Sequence, residues 1–322
     1  MQATTIVVLG DINLDLTINL PILPTLGDDL PVAGVVWHRG GTGLNTALAL
    51  LRLGAEVRLL GRVGNDPATT QIMASEPACR LDQRWLQTDP LVATGLCTVL
   101  VTPDGQRTFI SARGANVYYD PEAFDPAVLD GCDLLFVCGH ALLEGAQQAA
   151  ALRTIKLAFE RGLPVALDLC LPTIRAASGL IHHLLPQLWL LTLNEAELQA
   201  LLPELSHAAG LAELATSGIR YLGLKRGARG CSVVGANEQV DRMPPSVMVV
   251  DTNGCGDAFA ASLAWSLRQG AKLADGATLA NLMGALTATR SGAADALPSR
   301  TELLAQLEPG LHWLLDEERI PL

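Results

Sequence analysis

Aromatic residues are scarce: Phe, Tyr and Trp make up 4% of the 322 residues. An aromatic-filled β-sandwich is therefore disfavoured. With 49% hydrophobic residues, rich in Ala, Leu and Val, the composition favours helices packed closely on a parallel sheet. Charge is also sparse, at 17%, and predominantly acidic: 22 Lys and Arg stand against 33 Asp and Glu, a formal net charge of -11. Without a basic field there is nothing to release phosphate counterions, which argues against a nucleic-acid partner. A nucleotide is not excluded, because local backbone amides and a metal suffice to hold one. The seven cysteines are odd in number and scattered, with no CxxC pair and no His/Cys zinc spacing. That pattern fits reduced thiols in a cytoplasmic compartment. No stretch approaches the ~20 apolar residues a membrane helix needs, and no basic segment followed by an apolar one opens the chain. A soluble protein with no membrane partner is expected.

Short β-branched runs alternate with helical patterns through most of the chain, as in βαβ units. Strands are expected at Thr5–Leu9, Glu56–Leu60, Leu134–Cys138, Pro164–Leu169, Trp189–Leu193 and Ile219–Leu224. Helices are expected at Gly43–Leu53, Gly145–Glu160 and Asn194–Leu202, and through most of the chain after Asp251. Two excursions break the rhythm. Leu14–Leu20 with Val32–Trp37, and Gly95–Val101 with Thr108–Ala112, read as antiparallel pairs, the latter turning at Thr102-Pro103-Asp104-Gly105-Gln106. Together they suggest a small sheet projecting as a lid.

The most informative segment is Asp251-Thr252-Asn253-Gly254-Cys255-Gly256-Asp257. Val249 and Val250 before it read as the end of a buried strand, and the Ala-, Phe- and Leu-rich run after it as a helix. Such a turn aims backbone N–H groups and a helix dipole at one point, with a carboxylate beside them. A phosphoryl group in transfer could be held there while Asp257 accepts a proton from an attacking hydroxyl.

Other polar clusters fit the same chemistry. Gly40-Gly41-Thr42-Gly43-Leu44-Asn45 opens a helix where glycines allow close backbone approach and Asn45 can donate and accept to sugar hydroxyls. It nearly spells a dinucleotide fingerprint, but Thr46 stands at the last glycine position and the motif follows an expected lid strand instead of opening the first βαβ unit. Gly10-Asp11-Ile12-Asn13-Leu14-Asp15 follows the first strand, where open parallel sheets bind ligands. Asn194 and Glu197 share one side of a helix start; they suit either water around Mg²⁺ or simple capping. Lys225-Arg226-Gly227 joins two strands and could meet a triphosphate, although no Walker sequence occurs. His140 sits at a strand's carboxyl edge, with a substrate contact or a capping role open to it.

In this order the clusters resemble the ribokinase/PfkB family of carbohydrate and nucleoside kinases, nearly end to end. Gly40–Asp66 and Val249–Leu263 carry the resemblance. It implies an α/β fold: a ribokinase-like three-layer sandwich with a mostly parallel central sheet and a small β lid. A single kinase domain over 1–322 is expected, its lid built from 12–38 and 93–115. The implied activity is ATP-dependent transfer of the γ-phosphate to a hydroxyl of a small carbohydrate. Asp257 would be the base, and the amides of Gly254, Cys255 and Gly256 the anion hole. Asp15, Gly41, Thr42 and Asn45 would hold the sugar, with Asp11 and Asn13 nearby. Asn194 and Glu197 would handle phosphate and Mg²⁺, the latter through water. Lys225 and Gly227 would face ATP phosphates and Asn281 the adenine. Asp251 and Asn253 would flank a monovalent cation such as K⁺. Thr42 stands where ribokinases themselves usually carry Lys, and only Arg107 and Arg113 could supply charge for a phosphorylated substrate. Alternatives are a nucleoside kinase, with Trp37 as a stacking candidate, and a catalytically silent sugar-binding protein. Exposed lid edges suggest a homodimer.

Overall fold

The computed structural model describes residues 4–74, 76, 78–104 and 106–316. In chain order the strands are β1 (Thr5–Leu9), β2 (Asn13–Asn19), β3 (Val35–Gly40), β4 (Glu56–Gly64), β5 (Leu86–Asp89), β6 (Gly95–Val101), β7 (Arg107–Ala112), β8 (Leu134–Cys138), β9 (Val165–Asp168), β10 (Leu190–Asn194), β11 (Tyr221–Lys225), β12 (Cys231–Val234) and β13 (Gln239–Arg242). The helices are α1 (Thr42–Leu53), α2 (Pro67–Met73), α3 (Gly145–Glu160), α4 (Leu171–Leu184), α5 (Glu195–Leu201), α6 (His207–Thr216), α7 (Cys255–Arg268), α8 (Leu273–Thr287) and α9 (Arg300–Gln306).

The main sheet runs β13-β12-β11-β10-β9-β8-β1-β4-β5. It is parallel from β5 to β11, and β12 and β13 add an antiparallel edge. Both faces are covered, which is why its strands read as continuous apolar runs. Alternate residues of β1 separate accordingly. Ile6 and Val8 join a core with α1, α7 and α8, while Val7 and Leu9 join a second core with α3, α4 and α5. Helix α1 is buried on almost every side and stops at Gly54, whose left-handed φ of 98° lets its N–H return to Leu50 and Leu51.

The two antiparallel pairs join through a parallel β2–β6 pairing into a second sheet, ordered β3-β2-β6-β7. Its β3 begins three residues later than the pattern suggests, and Gly105 of the expected turn lies outside the described residues. In cross-strand register Asp15 faces His38, so these two share a face; Trp37 pairs with Leu16 and lies on the opposite one.

One expectation fails. Val249 and Val250 end no strand: residues 243–250 run as irregular chain, with Met248, Val249 and Val250 exposed. Pro244 and Pro245 lack the N–H that a further ladder needs, and the segment instead walls a cleft. Among the described residues no helix is long and apolar enough to cross a membrane.

Candidate active site

The carboxyl ends of the parallel strands deliver most of the polar groups, as open α/β sheets do at their ligand crevice. Asp11 follows β1, His140 follows β8, and Asp168, Asn194 and Lys225 end β9, β10 and β11. The N-termini of α1 and α7 complete the ring.

Asp257 is the third residue of α7, after Gly254 at the N-cap with φ 75°. A Cβ on Gly254 would lie 2.9 Å from that of Ala293, so space as well as conformation demands glycine. The amides of Gly254, Gly256 and Asp257 precede any intrahelical acceptor and stay available to an anion. The Cys255 amide makes only a long 3.4 Å bond to Thr252 O. Burial pushes the Cys255 thiol up to about 12, with Asp251 and Asp257 adding to the effect, so the side chain stays neutral beside the hole.

Asn45 Nδ2 donates to Asp257 Oδ2 at 2.7 Å. Burial pushes the Asp257 carboxyl up to about 7, and Asp168 pushes in the same direction against Asn45 and Lys225. Asp15 also rises to about 7, chiefly through burial, with Asp251 and Asp295 adding and Asn253 opposing. Asn253 Nδ2 reaches Asp15 Oδ2 at 3.5 Å. Asp15 Oδ1, Thr42 Oγ1 and Asn45 Oδ1 are buried without a protein partner. Orphaned buried polar atoms are costly, and these three belong to residues singled out as sugar contacts.

Lys225 Nζ lies 2.6 Å from Asp168 Oδ1, which also accepts from Thr192 Oγ1 at 2.7 Å. Burial alone would lower the Lys225 pKa, but Asp168 and Glu197 outweigh it and raise it. The ammonium would stand 3.5 Å from a Cβ placed on Gly256, next to the candidate anion hole. Asn194 and Glu197 form a reciprocal capping box at α5. That arrangement spends Asn194 Oδ1 and Glu197 Oε2 on backbone amides. Glu197 is pushed up to about 7 by burial, against the pull of Lys225. Beyond Lys225 opens a cleft of about 490 Å³ lined by Gly227, Met243, Pro245, Phe259 and Asn281, within the usual range for small-molecule sites. Asn281 Nδ2 donates to Arg242 O at 3.0 Å.

Several of the expected site residues already have protein partners. The Asp11 carboxylate is engaged by protein donors. Arg113 Nε and Nη2 hold it at 3.0 Å each and Gln147 Nε2 at 2.8 Å. Asp251, placed beside a monovalent cation by the resemblance, accepts from the amides of Asn253 and Gly292 and pairs with Arg107 Nε at 3.2 Å. Asn13 Oδ1 is oriented by Asn116 Nδ2 at 3.0 Å. The glycines of the helix opening serve chain against chain. A Cβ on Gly41 would meet Asp11 O at 2.4 Å, and one on Gly40 would strike the Asp15 carboxylate at 2.0 Å.

Gly43 gives a direct test of that packing. Its Cβ would lie 2.5 Å from Gly10 C, and backbone cannot yield cheaply. Gly43→Ala is expected to cost ~1–3 kcal/mol, the usual penalty for overpacking, read as a lower urea midpoint. An unchanged midpoint would show that α1 does not press on the end of β1.

Asp168 was missed by sequence reasoning, as was the pairing of Arg113 with Asp11. An aspartate closing the apolar run Val165–Asp168 was the available signal, since charge at the end of a buried strand is costly unless partnered.

The chain matches the model of the pfkB family carbohydrate kinases over residues 3–300. It is 27% identical over 316 residues to a ribokinase of Schizosaccharomyces pombe, covering 92% of this chain and 96% of that one. A fructokinase of Vibrio alginolyticus is 28% identical over 284 residues, covering 82% and 90%. Among solved structures, Arabidopsis thaliana ribokinase complexed with ribose and ATP superposes with a TM-score of 0.81 at 22% identity, over 96% of this chain and 99% of that chain. The architecture is thus ribokinase-like.

Proposed function

Because the chain belongs to the pfkB family of carbohydrate kinases, a family of phosphotransferases acting on alcohol groups, we propose that it moves the γ-phosphate of ATP onto a hydroxyl of a small sugar at the site around Asp257. One observation carries this reading: a half-buried carboxyl held by Asn45 at 2.7 Å stands among the free amides of α7, beside Lys225 and a cleft of nucleotide size.

In this reading Asp15, Thr42 and Asn45 hold the sugar, their orphaned oxygens turned to its hydroxyls. Asp257 takes the proton of the attacking hydroxyl. The amides at Gly254 and Gly256 and the dipole of α7 stabilise charge on the group in transfer, with Lys225 adding a fixed positive charge. Gly227 and Asn281 line the nucleotide cleft. Glu197 Oε1, which the capping box leaves out, would hold Mg²⁺ through water, with Asn194 positioning it, and the ion supplies charge neutralisation between phosphates when bound. The small sheet, tied to the site by Asp15 and by the Arg107–Asp251 pair, would act as a lid that excludes water. The exposed Val35, Trp37 and Ile110 on its far face suit a second copy of the chain. Base stacking on Trp37 finds no support, because that face points away from Asp15.

A panel of sugars and nucleosides in a coupled ADP-release assay tests the reading; sugar-dependent release is expected, and release driven only by nucleosides would replace it. The pH profile adds a second check. Asp257 acts deprotonated and its pKa is raised to about 7. Hence kcat/KM should fall about tenfold per unit as pH drops below that value and level off above it. A flat profile from about pH 5.5 to 8.5 would remove Asp257 as the titrating base.

A further inference from the structure

The acceptor end of the site is acidic, and its cations are already committed. Arg113, largely buried, spends its guanidinium on Asp11, on Glu144 Oε1 at 3.4 Å, on His140 O at 2.9 Å and on Gln147 Oε1. Arg107 pairs with Asp251 and Thr252, and Arg39 with Asp295. His140 is kept uncharged at neutral pH because burial lowers its pKa. Lys225 faces the anion hole and is held by Asp168. What remains near Asn45 is the pair of carboxylates Asp15 and Asp257, neither matched by an arginine among the described residues.

We infer that the acceptor is an uncharged polyol, that sugars already carrying a phosphate or carboxylate are rejected, and that Asp11 sets this preference by neutralising Arg113. The inference rests on the kinase reading and narrows its substrate class. The backbone fixes Asp11 where it can do this, because its carbonyl receives the amides of Gly43 and Leu44, the two residues just before Asn45 in the first turn of α1. Its carboxylate is bonded twice to Arg113, a guanidinium that, once released, could swing toward a bound anion. An anionic acceptor would meet two buried acidic groups in a poorly screened site, where its charge opposes the ionisation that Asp257 needs to act as a base.

The test compares matched probes: ribose with ribose 5-phosphate, and fructose with fructose 6-phosphate. Two readouts are used, ADP release and thermal stabilisation of the protein by each probe. For the native chain the uncharged member should be favoured by ~10²-fold or more in kcat/KM, the size a buried charge mismatch commonly reaches. Asp11→Asn, nearly isosteric, should shift that ratio toward the phosphorylated member by ~10-fold, one freed charge's worth. Arg113→Gln, which leaves the Asp11 charge unpaired, should shift it the other way, and a shift toward the phosphorylated member would overturn the inference. A native preference for the phosphorylated probe, or an unmoved ratio in a folded Asp11→Asn, overturns the inference. If no probe releases ADP, the kinase reading fails by itself. Stabilisation by uncharged probes alone would then still support the charge selection, and stabilisation by phosphorylated probes, or by none, would overturn it.

Discussion

Replacing Asp257 with Asn is expected to lower kcat by at least ~10²-fold, the low end for loss of a general base, with little change in KM. The substitution keeps the shape and the bond to Asn45, since an amide oxygen accepts as a carboxylate does, so sugar binding should persist. Stability should move the other way. A carboxyl raised to about 7 has a folded-state pKa above its unfolded value. Its stabilisation is full below the unfolded pKa, and is lost as pH rises through about 7. At pH 8 the native chain therefore carries the cost of a poorly solvated charge that the variant lacks. The relation of 1.36 kcal/mol per pKa unit sets an upper bound of about 4 kcal/mol, reduced by whatever water reaches the group. Turnover measured beside a thermal melt separates the outcomes. Loss of kcat with an equal or higher Tm is expected, and near-native turnover would end the general-base assignment.

The second large effect is expected at Lys225. Lys225→Met leaves Asp168 buried with Thr192 as its remaining side-chain donor, and breaking a buried pair on one side typically costs ~3–5 kcal/mol. It also removes the positive charge beside Gly256, where loss of a single oxyanion donor commonly costs ~10²–10³ in kcat. These two consequences separate in the double variant Lys225→Met with Asp168→Asn. Replacing both partners with neutral groups should restore most of the urea midpoint but leave kcat depressed. If the double variant recovers turnover along with stability, Lys225 only supports the fold.

Sequence reasoning anticipated β1, β8 to β11, α1 and α7 because their signals are local. Apolar runs that end in polar residues mark strands opening onto a crevice, and Gly254 is required by the left-handed turn before α7. Asn194 with Glu197 was legible as a cap for the same reason: the reciprocal bonds span one helical turn. The Val249–Val250 reading failed because two β-branched residues carry no information on whether a ladder partner exists; the prolines at 244 and 245 did. The partner of Asp11 was hidden for a related reason. Nothing in the chain near Asp11 announces that Arg113, about a hundred positions later, folds onto it.

By itself the sequence determined the alternation of buried strands and helices, the net acidic charge, and the small-residue turn that bares the amides of α7. These follow from backbone conformation and periodic burial, which neighbouring residues dictate. The tertiary structure decided which polar groups meet: Arg113 with Asp11, Arg107 with Asp251, Lys225 with Asp168, and Asn45 with Asp257. Those pairings join segments far apart in the chain. Their energies depend on distance and burial in three dimensions, which no local pattern encodes.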